Sequence, residues 1–199
     1  NGGDFISVAR EVTNETPIVM IKSGRTEAAA KAVSSHTGTL AGSEQAYEAA
    51  LKQAGVLRAD NVETLFDFAE ALRGQPLPEK NGVAIVTNAG GPGIMATDSL
   101  EETGLSLASF SEETLNKLDD FLPDESNIYN PVDVLGDADI DRYRQVMDIV
   151  MNDPQVGGVV TIAYPSAILS YDSLAGEVVD IWDDYDKPII SCLMGGKKV

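Results

Sequence analysis

The sequence predicts an α/β protein built on doubly wound parallel sheets. Three observations point there. Short apolar runs, IVMIK (18–22), VAIVT (83–87), GVVTIA (158–163) and PIISCLM (188–194), have the length and composition of strands buried on both faces. Between them lie stretches whose apolar residues recur at helical spacing. The two kinds alternate, which implies a parallel sheet covered on both sides by helices.

The elements follow in order. FISVAREV (5–12) reads as a helix that Pro17 stops, and IVMIK follows as a strand. Gly24 turns the chain, and the alanine-rich stretch 28–33 starts another helix. After SSHTGTLAGS (34–43), Ser43 is a natural N-cap. Ala46, Tyr47, Ala50, Leu51 and Ala54 then recur at helical spacing, and Gly55 closes the turn. The next helix is expected from Asp60, with Glu63 in a capping-box arrangement and Val62, Leu65, Phe66, Ala69 and Leu72 on its inner face. GQPLPEKNG (74–82), rich in proline, glycine and polar side chains, reads as a linker. The expected division is therefore domain 1–74, linker 75–81 and domain 82–199.

In the second domain VAIVT leads into a glycine-rich turn and a helix through about Thr103. LSLASF (105–110) is a strand, and Ser111 caps a helix with Leu115, Leu118 and Leu122 inward. NPVDVLG (130–136) is a turn, and a helix follows with Tyr143, Val146, Met147 and Val150 on one side. GVVTIA, a helix over 173–183 and PIISCLM complete the series. This order makes the second domain a small flavodoxin-like fold, nearly complete, with its last helix expected to be cut off at Val199. The chain has no initiator methionine and reads as an excerpt of something longer.

Composition narrows the function. Of the 199 residues, 43% are hydrophobic and 23% charged, which is ordinary for a globular protein. Acidic residues outnumber basic ones 32 to 14, for a net charge of −18. Such a chain repels phosphate backbones and anionic lipid, so neither nucleic acid nor a membrane is the expected partner. The acid is spread along the chain as a solvated surface, of a kind suited to high salt. No apolar run approaches bilayer length, and the polar start NGGDFISVAREV lacks a signal peptide's hydrophobic stretch. The single Cys192 cannot form an internal disulfide and, inside an apolar run, is expected as a core thiol. A reducing cytoplasm fits these features.

Two segments could carry chemistry. The first holds the only histidine, His36, among the small neighbours Ser34, Ser35, Thr37, Gly38, Thr39, Ala41, Gly42 and Ser43. A metal site is disfavoured, since there is no second histidine and Cys192 is distant in sequence. A serine triad has no GxSxG nucleophile elbow here. What remains is a surface histidine without duty, or a general base or nucleophile. Neutral imidazole accepts phosphoryl groups well, and the small neighbours, with Gly38 and Gly42 as pivots, leave the ring accessible and its segment able to move. The second segment is NAGGPGIM (88–95), between a strand and a helix. Asn88, Gly90, Gly91 and Gly93 could present backbone N–H groups to a phosphate or carboxylate at a helix start. The glycines could equally just permit a tight turn. The spacing is neither a P-loop nor the dinucleotide GxGxxG.

KSGR (22–25), SHTGTLAGS (35–43), NAGGPG (88–93) and NPVD (130–133), in that order, resemble the NDP-forming acyl-CoA synthetases. This group contains the ADP-forming acetate–CoA ligases and is related to succinyl-CoA synthetase. The likeness covers essentially the whole chain. It implies an acid–thiol ligase that interconverts acyl-CoA, ADP and phosphate with a carboxylic acid, CoA and ATP. In the family the residue matching His36 is phosphorylated, and the segment matching NAGGPG sets a helix N-terminus against the phosphohistidine. The resemblance also implies cofactors: CoA and ADP or ATP with Mg²⁺ in the complete enzyme, phosphate at the histidine, and none held tightly by these residues alone. It implies partners too: a CoA-binding Rossmann domain, an ATP-grasp domain or subunit, and an oligomeric intact enzyme. The first domain then corresponds to the C-terminal half of a ligase domain, hence a partial sheet. A glutamate that orients the histidine would precede Asn1. The fragment alone is expected to be inactive. Some relatives fused to acetyltransferases have lost the histidine and act as acyl-CoA sensors; here His36 is kept, which favours an enzyme. A non-catalytic sensor of acyl-CoA or phosphate, and a scaffold whose glycine turn is purely structural, are the alternatives. Asp133 reads as a turn residue. The acyl substrate, the choice of ADP or GDP and the oligomeric state are not legible.

Overall fold

A computed structural model describes residues 2–24, 26, 28–29 and 43–195. Two compact units divide the chain, Asn1–Gly74 and Gln75–Val199.

In the first unit the elements are α1 (Gly2–Thr13), β1 (Val19–Ile21), α2 (Glu44–Gln53), β2 (Leu57–Ala59) and α3 (Val62–Gly74). Of the helix expected over 28–33, residues 28–29 are helical and the rest lies outside the described residues. β1 and β2 pair in parallel, with Val19 opposite Leu57 and Ile21 opposite Ala59. Ala9, Leu51, Ala54 and Val56 form the small core, with Ile18 and Met20 against it. Gly55 closes α2 at φ +69°, a conformation that a Cβ disfavours, and Thr13 Oγ1 lies 2.9 Å from where that Cβ would sit.

Three expectations need correction here. β2 is a strand where none was expected: three residues are too short for a periodicity signal, and pairing with β1 is what defines them. The cap of α3 is Asn61, not Asp60; its Oδ1 accepts from the Thr64 N–H at 2.8 Å. Val62 and Phe66, expected on the inner face of α3, are 60% and 66% exposed, and α3 contains no buried residue. Their spacing is amphipathic, but no other described residue covers that side.

In the second unit the elements are β3 (Gly82–Thr87), α4 (Gly90–Thr103), β4 (Ser106–Leu107), α5 (Glu112–Phe121), β5 (Val132–Asp133), α6 (Ile140–Met151), β6 (Gly158–Ala163), α7 (Tyr171–Asp184) and β7 (Ile189–Leu193). The sheet is parallel throughout, in the order β4-β3-β6-β7, with β5 also on β3. Alternate residues of β3 face opposite cores. Ala84 and Val86 join Leu118, Tyr143, Val146, Met147, Leu174 and Ile181 beneath α5, α6 and α7. Val83 and Ile85 pack with Leu100 of α4 and Ile162 of β6.

The second face is less covered than expected. Among the described residues α4 alone lies on it, and Ile85, Val160, Ile162, Cys192 and Met194 border an apolar groove of about 460 Å³. Cys192 is consequently exposed rather than a core thiol. The strand expected over 105–110 narrows to Ser106–Leu107. The turn 130–136 contains β5, which shares an edge of β3 with β4: β4 pairs at Gly82 and Val83, β5 at Val86 and Thr87. Asn130 bridges the gap. Its Oδ1 accepts from the Ile85 N–H at 2.9 Å, and its Nδ2 donates to the carbonyls of Val83 and Ala108 at 2.8 and 3.0 Å. One side chain thus satisfies the edge where two short strands leave β3 unpaired. Gln75, the first linker residue, exchanges two hydrogen bonds with the backbone of Ile189, at 3.0 and 3.1 Å, and so folds with β7.

Candidate functional site

His36 and its neighbours Ser35, Thr37, Gly38 and Gly42 lie outside the described residues. The residues that flank the segment are ordered by charge. Lys22, where β1 leaves the sheet, pairs with Glu44, the first residue of α2, at 3.1 Å and stands 4.4 Å from the centroid of the Tyr47 ring. Arg58 of β2 pairs with Glu44 as well, and with Glu48 at 2.5 Å. Hydrogen bonding from Arg58, then from Lys22, holds the Glu44 carboxyl below the ordinary carboxylate range. The two ends of the chain around the histidine segment are therefore tied together.

The other predicted site residues meet in one turn at the carboxyl end of β3. β3 is almost wholly buried, and it delivers the chain to Ala89, the N-cap of α4, in extended conformation (φ −146°, ψ 111°). Ala89 offers no side-chain cap. The described helices that begin after it and before it differ. Ser43, Asn61, Ser111, Asp139 and Ser170 each accept a hydrogen bond from an N–H in the first turn of α2, α3, α5, α6 and α7 respectively. Only in α4, among these, do the first N–H groups find no capping side chain.

The four expected donors separate into two groups. Gly90 and Gly91 are exposed, and their N–H groups have no partner among the described residues. Beyond its chain neighbours and its own helix, no described atom lies within 4 Å of where a Cβ on Gly91 would be. Gly93 is different: its N–H donates to the Ala89 carbonyl at 3.3 Å, and the residue is buried. A Cβ there would stand 3.1 Å from Thr87 Cγ2 and 3.6 Å from Pro131 Cβ, so this glycine lets α4 lie close on β3. Asn88 also faces inward. Its side chain is 7% exposed; Oδ1 accepts from the Tyr164 N–H at 2.7 Å and Nδ2 donates to the Tyr164 carbonyl at 3.0 Å. Within the turn the Asn88 side chain is thus occupied by Tyr164 and the Gly93 N–H by the Ala89 carbonyl.

Asp133 is placed beside the turn. Its Oδ1 accepts from the Leu135 N–H at 2.9 Å, and its Oδ2 lies 3.9 Å from the Cβ position on Gly90. Tyr143, legible only as part of an apolar face, is fully buried and donates from its hydroxyl to the Ile162 carbonyl at 3.1 Å. Burial pushes that hydroxyl well above its ordinary pKa, while the Asn88 backbone N–H facing the same oxygen works the other way. A tyrosine alone in a Val/Met stripe is the signal that might have marked it, since a buried hydroxyl needs a partner.

Comparison with known proteins places the chain in a family. Residues 83–199 match the family described as Ligase-CoA domain, and residues 1–72 match the succinyl-CoA ligase like flavodoxin domain. The chain belongs to the Ligase-CoA family. Its relatives include the ADP-forming acetate–CoA ligase I of Archaeoglobus fulgidus, 45% identical over 100% of this chain and 28% of that protein. The ADP-forming 4-hydroxybutyrate–CoA ligase of Nitrosopumilus maritimus is 41% identical over 98% of this chain and 28% of its own length. Among solved structures, the dinucleotide-forming acetyl-coenzyme A synthetase 1 of Ca. Korarchaeum cryptofilum in complex with phosphate and ADP superposes with a TM-score of 0.92, at 35% identity, over 100% of this chain and 43% of that one. This Ligase-CoA chain thus spans 28% of the length of those two curated relatives. Among its described residues no helix is long and apolar enough to cross a membrane.

Proposed function

We propose that this chain is the phosphoryl-transfer part of an ADP-forming acyl-CoA synthetase, with His36 as the phosphoryl acceptor. The observation that carries the reading is the uncapped start of α4, with the Gly90 and Gly91 N–H groups, unpartnered among the described residues, at the carboxyl end of a buried parallel strand. The relatives are named ADP-forming CoA ligases, and such backbone donors at a helix start suit the phosphate that reaction handles.

Three balanced steps follow. Phosphate attacks the thioester carbonyl of acyl-CoA, giving acyl phosphate and CoA thiol. The neutral His36 imidazole attacks phosphorus, the P–O bond to the acyl group breaks, and the carboxylate leaves. ADP oxygen then takes the phosphoryl group from nitrogen, giving ATP and free imidazole. Each N–H donated to a charged oxygen contributes roughly 1.5–3 kcal/mol, so two of them and the helix dipole stabilise a phosphoryl anion without a basic side chain. Ser35, Thr37, Gly38 and Gly42 keep the neighbourhood of His36 small. Mg²⁺ arrives with the nucleotide. The CoA and nucleotide sites belong to a Rossmann domain and an ATP-grasp domain or subunit beyond these residues, in a cytoplasmic enzyme, so the 199 residues alone form no ATP.

The experiment is phosphorylation of the full-length protein with γ-labelled ATP and Mg²⁺. An acid-labile, alkali-stable label that disappears in His36→Asn is expected. Label retained in His36→Asn ends the proposal.

A further inference from the structure

We infer that Asn88 and Tyr143 are positioning residues: together they lock the glycine turn to the end of β6 so that the Gly90 and Gly91 N–H groups point outward as a pair. The inference rests on the phosphate reading of that turn. It concerns side chains that do not touch the anion themselves.

The ladder between β3 and β6 ends at Thr87 opposite Ile162. Beyond it the two strands lead to opposite faces, β3 into α4 on the side of Leu100 and β6 into α7 on the side of Leu174. Strand ends diverge at such a point, and ligands bind in the crevice it opens. The Asn88 carboxamide closes that divergence at its base, because it bonds both the N–H and the carbonyl of Tyr164, the first residue after β6. Doing so takes a donor and an acceptor on one short side chain, which a carboxamide supplies and a carboxylate does not. Tyr143 stands under the same turn. Its hydroxyl donates at 3.1 Å to the carbonyl of Ile162, which pairs with Thr87 at the end of the ladder. Thr87 Oγ1 accepts from the Ala89 N–H at 3.0 Å, which leaves Gly90 and Gly91 as the first groups free to face outward. With the Asn88 side chain held inward on Tyr164 and the end of β6 held by Tyr143, the direction of the next N–H groups is set before any ligand arrives. Such preorganisation is what a pair of backbone donors needs in order to bind tightly.

The test uses the full-length protein and inorganic phosphate as the probe, with binding followed by calorimetry and stability by thermal melting. Four variants are compared: Asn88→Ala, Tyr143→Phe, Gly90→Pro and Val146→Ala. Val146 is equally buried on α6 and serves as a destabilised control away from the turn. Asn88→Ala and Tyr143→Phe are expected to weaken phosphate binding about tenfold, the scale of one well-aligned bond to a charged group. Val146→Ala should lower the melting temperature at unchanged affinity. Tyr143→Phe keeps the ring and its packing, so it serves even if Asn88→Ala does not fold. Unchanged affinity in both Asn88→Ala and Tyr143→Phe, or an equal loss in Val146→Ala, overturns the positioning role. If Gly90→Pro leaves phosphate affinity intact, the anion reading itself fails and this inference falls with it. If Gly90→Pro weakens binding and the two positioning variants do not, only the inference falls.

Discussion

Replacing Gly90 with proline separates function from stability with opposite signs. Position 90 is the first residue of α4, the helical position that best accepts proline's fixed φ. Ala89 before it is extended, as a residue preceding proline must be. The nearest atom to the new Cβ is Asp133 Oδ2 at 3.9 Å, an ordinary contact. The N–H that disappears has no partner among the described residues. Folding therefore loses nothing, and the unfolded chain loses freedom, which contributes about 0.4–1 kcal/mol of stability. In a domain of this size that raises Tm by about 1–4 °C. Phosphate loses one of its two backbone donors, about 1.5–3 kcal/mol, hence roughly 10- to 150-fold in affinity. Melting curves and phosphate titration of the full-length protein read the two effects separately. A Tm that falls by several degrees would mean that the Gly90 N–H has a protein acceptor after all. An unchanged phosphate affinity would refute the donor role.

Three further outcomes are expected. Asn130→Ala leaves the Ile85 N–H and the Ala108 carbonyl without their Asn130 partner, while the Val83 carbonyl keeps the Ala108 N–H, and at about 1–3 kcal/mol for each unpaired buried group should lower the urea midpoint well beyond an ordinary surface change. Burial raises the pKa of Asp153, but hydrogen bonds from Thr114, Ser111 and Gln155 outweigh it, so the folded value lies below the ordinary one. Its stabilisation is present above the unfolded carboxylate pKa of about 3.9 and fades as pH falls through the folded value, so urea titrations at descending pH should show a flatter acid limb in Asp153→Asn. With a net charge of −18, self-repulsion opposes compactness, and Tm should rise as potassium chloride is added up to about 1 M; a Tm independent of salt would show the acidic groups to be too dispersed to matter.

The positions of β3, α4, α6, β6 and β7 were legible because their signals are local: an unbroken apolar run, a cap, a repeat near 3.6 residues. The same holds for the candidate site at the level of segments, since a glycine cluster after a buried strand marks a turn that can meet an anion. Which of its N–H groups remain free was not legible. Asn88 and Gly93 look like donors in a string of letters, and become anchors only because Tyr164 and Thr87, from elsewhere in the chain or the preceding strand, approach them. β2 and β5 escaped notice for a related reason: two or three residues carry no period, and a partner strand makes them strands. Asn130, Tyr143 and Asp133 complete the point. By itself the sequence determined the order of elements, the acidic surface and the two segments worth watching, because those depend on neighbours along the chain. Tertiary structure alone decided that Gly90 and Gly91 are the open pair, because hydrogen-bond satisfaction is settled by neighbours in space.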